Sequence, residues 1–247
     1  MRPVPFLLLL CTLFSQGITI CWPKEAQGWG SVWEQRMTIG QAALDDAYKL
    51  AAQGKVNEAL EMIDRIIANY PKNWRAHFLR AAVLVLAQRR DDALREMDES
   101  IRLAQHSNVS PALLSELYQS KGRSCIDYGR YRDAKRALET AVHLQPNDPT
   151  TLNDLAWMFA TAQNQQVRDG RRAVNLATKA CRLSGWTNAF SIDTLAAAYA
   201  ESGRFDQAVR YEQLAIQNLR PEDQKTQLAG MQNRLRLYAS GQPYRGQ

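Results

Sequence analysis

Between Ser191 and Tyr199, the residues Ile192, Leu195, Ala196 and Tyr199 recur at i, i+3, i+4 and i+7, one face of a helix with 3.6 residues per turn. Aliphatic, Ala and Gln content is high along the chain, whereas the Val, Ile and Thr alternation expected of strands is scarce, which points to an all-helical chain. Ten helices are predicted there, arranged as five hairpins over 40–73, 74–107, 115–148, 149–188 and 189–220. Pro71, Pro146 and Pro221 close the first, third and fifth hairpins, and the second and fourth lack a proline at that place. Ser110 before Pro111 and Asp148 before Pro149 read as N-caps followed by proline at the first helical position, with Asp91 and Asp169 as similar caps. Ser31-Val-Trp-Glu34 reads as a capping box that starts a helical extension within residues 18–39, whose Trp33 and Met37 would cover an open end.

The hairpins repeat one unit. Gly54, Gly129 and Gly203 are each followed two residues later by a bulky side chain and three further on by Ala59, Ala134 and Ala208. First helices carry a small residue, Ala47, Ala81, Gly122, Ala156 and Ala196, and three positions on a filler, Leu50, Leu84, Cys125, Phe159 and Tyr199. Second helices carry Ala59, Ala93, Ala134, Ala173 and Ala208, then four positions on Ile63, Met97, Leu138, Ala177 and Glu212, of which only Glu212 breaks an apolar column. These columns resemble the tetratricopeptide repeat family over residues 40–220. Ala59 and Ala93 stand 34 residues apart, the family's repeat length, and Ala173 and Ala208 stand 35 apart. Ala93 to Ala134 is 41, which places seven extra residues around Gln105 to Pro111. Ala134 to Ala173 is 39, which places five more in the loop from Thr161 to Arg168.

That resemblance implies an all-α, right-handed solenoid of five hairpins whose open end is closed by a further helix. Residues 221–240 suit such a capping helix: Leu228, Met231, Leu235 and Tyr238 form a stripe, while Gln232, Arg234 and Arg236 are expected to stay in water. Residues 241–247 are expected to be a frayed tail. In this family the first helices line a groove that holds a peptide or a partner helix, which projects here to Tyr48, Arg75, Phe78, Gln119, Arg123, Asn153, Trp157 and Asp193 as the candidate partner-binding residues. The family's Lys and Asn clamp for a terminal carboxylate is missing, because Leu44, Phe78 and Gln119 stand where it would begin. Leu152-Asn-Asp-Leu-Ala-Trp157, Val167-Arg-Asp-Gly-Arg-Arg-Ala173, Ser184-Gly-Trp-Thr-Asn188 and Asp193-Thr-Leu-Ala-Ala-Ala-Tyr199 together resemble, over residues 149–215, a variant familiar from bacterial exported and envelope-associated proteins, which implies a periplasmic, envelope or secreted setting.

Composition and chemistry narrow the reading further. A short apolar run from Phe6 to Phe14 after Arg2, ending in Ser15-Gln16-Gly17, predicts a secretory signal over residues 1–17, and the run is shorter than the ~20 residues of a membrane span. Membrane association through an uncleaved signal or a lipid-modified Cys21 stays open, although Ile18-Thr19-Ile20 lacks the usual small residue before such a cysteine. The +6 net charge is spread along the chain without a basic stripe interleaved with aromatics, so a nucleic-acid partner is not expected. Cys125 and Cys181 fall on helix faces that meet neighbours and read as small hydrophobes. His77, His106 and His143 have no ligand spacing, and no phosphate-cradling or nucleophile-elbow motif is present. The expected function is a non-enzymatic scaffold for a protein or peptide partner, with no cofactor, metal or evident small-molecule substrate. The alternative is a self-assembling or accessory subunit of an envelope complex.

Overall fold

The computed structural model describes residues 42–246, which form helices, their connections and a trailing non-helical segment. The expected signal segment, the capping box at Ser31, Trp33, Met37 and Cys21 lie outside the described residues. The helices are α1 (42–52), α2 (Val56–Asn69), α3 (Trp74–Leu86), α4 (Arg90–His106), α5 (Pro111–Asp127) and α6 (Tyr131–Leu144). They continue as α7 (Pro149–Thr161), α8 (Gly170–Leu183), α9 (Ala189–Glu201), α10 (Phe205–Gln217) and α11 (Pro221–Ala239).

The hairpin turn explains the glycine column. Gly54, Gly129 and Gly203 have φ of 79°, 71° and 72°, a left-handed conformation that costs an L side chain roughly 1–2 kcal/mol. It lets the next amide reach back to the filler carbonyl: Lys55 N to Leu50 O at 3.0 Å, Arg130 N to Cys125 O at 2.8 Å and Arg204 N to Tyr199 O at 2.9 Å. The second hairpin makes the same bond, Arg89 N to Leu84 O at 2.9 Å, with Gln88 in the left-handed position at φ 59°. In the fourth hairpin the Phe159 carbonyl accepts instead from Asp169 N at 3.0 Å, so the extra loop residues bulge out and the turn bond is restored beyond them.

Side-chain caps start the helices where expected, with one correction. Ser110 accepts from Leu113 N, Asp148 from Thr150 N and Thr151 N, and Asp169 from Arg172 N. Asp91 is not a cap: Arg89 holds that position, and Asp91 sits inside the first turn, where a carboxylate favours the helix dipole instead.

The extra residues between the second and third hairpins do not form a loop. Helix α4 has 17 residues against 14 in α2, and α5 has 17 against 13 in α3, so about one extra turn on each helix takes up all seven. Leu103 and Ala104 of α4 and Leu113 of α5 are buried, which is why these turns persist.

The chain divides into two compact units after Val109. In the first, α3 packs on α2 and α4, and Ala47, Ala59, Ile63, Ala81, Leu84, Ala93 and Met97 are buried. In the second, α5 to α10 pack as consecutive hairpins and α11 lies on α10 and α9. There a Cβ on Gly122 would stand 2.6 Å from Leu138 Cγ, so this small residue is what lets α6 approach α5. Met231 of α11 is buried with Ile192, Leu195, Ala215 and Leu219, with Leu228 packed alongside.

Candidate functional site

The first-helix faces of the two units differ in how their polar side chains are used. In the first unit, Tyr48 and Arg75 are half-buried. The Arg75 guanidinium lies 4.5 Å from the Trp74 ring centroid, burial lowers its pKa, and it has no ion-pair partner among the described residues. Phe78, projected as a groove residue, is only 3% exposed and belongs to the core. A separate cluster joins three helices: Arg80 of α3 pairs with Asp64 of α2 at 2.8 Å and Glu96 of α4 at 2.7 Å, and His77 Nδ1 meets Glu96 at 2.8 Å. The hydrogen bond to Glu96 raises the His77 pKa against the opposing effect of burial.

In the second unit, the candidates fall into three groups. Gln119 and Arg123 of α5 both reach Asp154 of α7, Gln119 Nε2 at 2.9 Å and Arg123 Nε at 2.6 Å. Burial raises the Asp154 carboxyl and Arg123 opposes it, so Arg123 holds two helices together. Gln119 is buried and offers no side chain to a partner, which corrects its assignment. Asn153 is half-buried and its carboxamide oxygen is enclosed without a hydrogen bond from the described residues. Trp157, one turn along α7, is half-buried with its ring accessible from the chain segment described below.

Asp193 of α9 is also withdrawn from any partner, because α11 covers it. Arg234 donates to both its carboxylate oxygens, Nε at 2.6 Å and Nη2 at 2.9 Å. Arg234 was expected in water but is 4% exposed. The reason is Glu212 of α10, fully buried with one carboxylate oxygen 3.5 Å from Arg234 Nε. One cation thus lies between two acids. Burial first, and the Asp193 charge next, push the Glu212 carboxyl far above the carboxylate range, so it keeps its proton at neutral pH. The Tyr238 hydroxyl is buried beside them with no hydrogen-bond partner among the described residues.

The segment after α11 is not frayed. Gly241 turns the chain back at φ 70°, with Gln242 N bonded to Leu237 O at 2.9 Å. The Tyr244 ring lies 5.9 Å from that of Trp157, and both centroids are 5.5 Å from the Arg234 guanidinium. Gly246 N donates to Thr161 O at 2.8 Å, a carbonyl left over at the end of α7. Arg245 pairs with Glu201 Oε2 of α9 at 2.6 Å. Arg168, from the five-residue insertion, pairs with Glu201 Oε1 at 3.0 Å and donates to the carbonyls of Ala162 and Gln163. The two departures from the repeat, insertion and trailing segment, therefore meet on one carboxylate.

Sequence reasoning missed Asp154, Glu201, Glu212, Arg234, Tyr244 and Arg245. Only Glu212 carried a local signal, as a charge in an apolar column that requires a cation nearby. Cys125 and Cys181 are buried and unbridged, and burial pushes the Cys181 thiol up to about 12, which leaves little thiolate at neutral pH. No helix among the described residues is long and apolar enough to cross a membrane.

Comparison with known proteins accords with these features. The family model described as tetratricopeptide repeat matches residues 44–108 and 121–167. The mouse (Mus musculus) aspartyl/asparaginyl beta-hydroxylase is 30% identical over 119 residues, 47% of this chain but 16% of that protein's length. In fold, the segment of MamA from residue 41 to its end, from Desulfovibrio magneticus RS-1, superposes with a TM-score of 0.60 at 14% identity, covering 72% of this chain and 94% of that one. YrrB, described as a tetratricopeptide protein with an unusual peptide-binding site, superposes with a TM-score of 0.57 at 15% identity, covering 77% and 89%. Proteins of this fold are in general non-enzymatic and bind protein or peptide partners. With its alanine columns, glycine turns and stacked hairpins, the chain belongs to the tetratricopeptide repeat family.

Proposed function

We propose that the chain is an exported scaffold that holds an extended segment of a partner protein against the first helices of its second unit. One observation carries the reading: a non-helical stretch of polypeptide, residues 242–246, already lies along α7 and α9 through a ring contact, a backbone hydrogen bond and an ion pair. An extended segment uses the fold's spare carbonyls and half-buried aromatics in this way. The similar fold of YrrB, with its peptide-binding site, agrees with it. The apolar run Phe6–Phe14 supports export, and mass spectrometry of the chain recovered from cell fractions tests that part.

Trp157 is the residue to change, because substituting Arg123 would strand Asp154 in a buried site. Affinity retrieval with the wild-type chain, Trp157→Ala and the outer-surface control Leu183→Ala, at matched helicity, tests the binding face; Leu183 is 44% exposed. Trp157→Ala should lose the partner and Leu183→Ala should keep it. Equal retrieval by all three, or a closed oligomer in light scattering that buries Trp157, overturns the reading.

A further inference from the structure

Resting on that reading, we infer that the seat made by Trp157, Thr161, Glu201 and Arg234 recognises an aromatic residue followed directly by a cationic one, and that Tyr244-Arg245 occupies it in cis as an intramolecular competitor. The partner this selects is a protein segment carrying the same aromatic–basic pair.

Each feature of the seat matches one feature of such a segment. Arg234 is fixed by its two bonds to Asp193, so its guanidinium stands ready beside Trp157 to take a second ring. Tyr244 supplies it, at 5.5 Å from the cation and 5.9 Å from the indole. Thr161 O fixes the backbone register by accepting from the amide two residues beyond the aromatic. Glu201 takes the cation: its side chain is 14% exposed, and Arg168 occupies only one of its oxygens. Arg245 meets the other oxygen while remaining 34% exposed itself. The insertion residue Arg168 thus pre-orients the carboxylate without neutralising both of its faces. An acidic residue at the position of Arg245 would meet that carboxylate as a like charge.

The segment is also tethered for competition. Only Ser240 to Pro243 separate α11 from Tyr244, so the pair is presented at an effective concentration on the order of millimolar. A partner segment of modest affinity is excluded until it outbids that concentration or the tether lifts.

The test uses the full chain with Tyr244→Ala and Arg245→Glu together, which empties the seat without removing any helix. The probe is a fluorescent synthetic peptide of sequence Gly-Gln-Pro-Tyr-Arg-Gly-Gln, followed by anisotropy. The opened chain should bind the peptide at least ~10-fold more tightly than the wild type does. A peptide with Lys in place of Arg should bind nearly as well, and peptides with Ala for Tyr or Glu for Arg should lose ~10-fold or more. Adding Trp157→Ala to the opened chain should abolish binding. The inference is overturned if the opened chain, with helicity unchanged by circular dichroism, fails to bind, binds all four peptides alike, or binds no better than the wild type. A second variant ending at Ser240 gives the same readout if the double substitution perturbs folding. If the peptide fails while partner retrieval still depends on Trp157, the aromatic–basic rule falls and the scaffold reading stands.

Discussion

Both units contain a polar cluster that ties three helices together, and the two clusters solve the problem of buried charge differently. In the first unit, Arg80 bridges Asp64 and Glu96 with its side chain 30% exposed and that of Asp64 52% exposed, so water shares the work. In the second, the side chains of Asp193, Glu212 and Arg234 are at most 8% exposed, and a surplus carboxyl is accommodated only by keeping its proton. The contrast teaches that the repeat tolerates charge between helices in two ways. At the edge of a hairpin, solvent balances it; beneath a covering helix, protonation must.

Removing the cation breaks this contrast most sharply. Arg234→Leu leaves Asp193 buried and uncompensated and should cost about 3–5 kcal/mol in urea denaturation. Arg80→Leu, whose partners remain partly hydrated, should cost about 1 kcal/mol or less. Adding Asp193→Leu to Arg234→Leu should recover much of the loss, since a buried pair exchanged for apolar groups is often near neutral. Equal costs for the two arginine substitutions would mean that the α11 cluster is hydrated in solution.

The same cluster marks the limit of what periodicity made legible. Alanine columns and the glycine turn identified hairpins directly, because a small residue is needed where a neighbouring helix presses a side chain against the backbone, as Leu138 does at Gly122. Arg234 was misplaced although it lies at i+3 from Met231 and i−4 from Tyr238, squarely on the buried stripe of α11. Its charge argued for water, while its place on the stripe and the odd Glu212 on the neighbouring helix α10 argued otherwise. The seven added residues before the third hairpin were countable, but spacing alone does not distinguish a longer loop from a longer helix. Of the seat on α7, α9 and α11 the sequence pointed to Trp157 alone: it meets Tyr244 through a chain reversal far along the sequence, with no local pattern to announce it.

Titration sharpens the comparison at intermediate magnitude. Glu212 has a folded pKa raised above its unfolded value near 4.5. As pH climbs past that value the unfolded chain releases a proton that the native chain retains, so stability falls with rising pH. Glu212→Gln removes this loss, and its melting-temperature advantage over the wild type should be greater at pH 8 than at pH 5, by the equivalent of about 1 kcal/mol or more. His77 in the first unit also has a folded pKa raised above the ordinary imidazole value of 6.5. Its contribution is complete below that value and is lost as pH rises through the folded pKa, so the cost of His77→Gln should shrink between pH 6 and pH 9. A Glu212→Gln advantage that is flat with pH would mean that the carboxyl is ionised in the native chain.

The smallest expected effect concerns the turns, where the units differ by one residue. Gly129 and Gly203 hold the left-handed position in the second unit at no steric cost, as Gly54 does in the first, but the second hairpin places Gln88 there at φ 59°. The hydrogen bond that follows, Arg89 N to Leu84 O, is as short as its counterparts, so the backbone accepts the strain to keep the turn. Gln88→Gly should relieve it and, after the added freedom of glycine in the unfolded chain is subtracted, stabilise by about 0.5–1 kcal/mol. Gly203→Ala, the reverse change in the other unit, should destabilise by about 1 kcal/mol. Opposite signs in matched denaturation curves are the expected result. Two losses of equal size would mean that the Gln88 side chain contributes a compensating contact, and the second hairpin would then be held by more than the repeat's common turn.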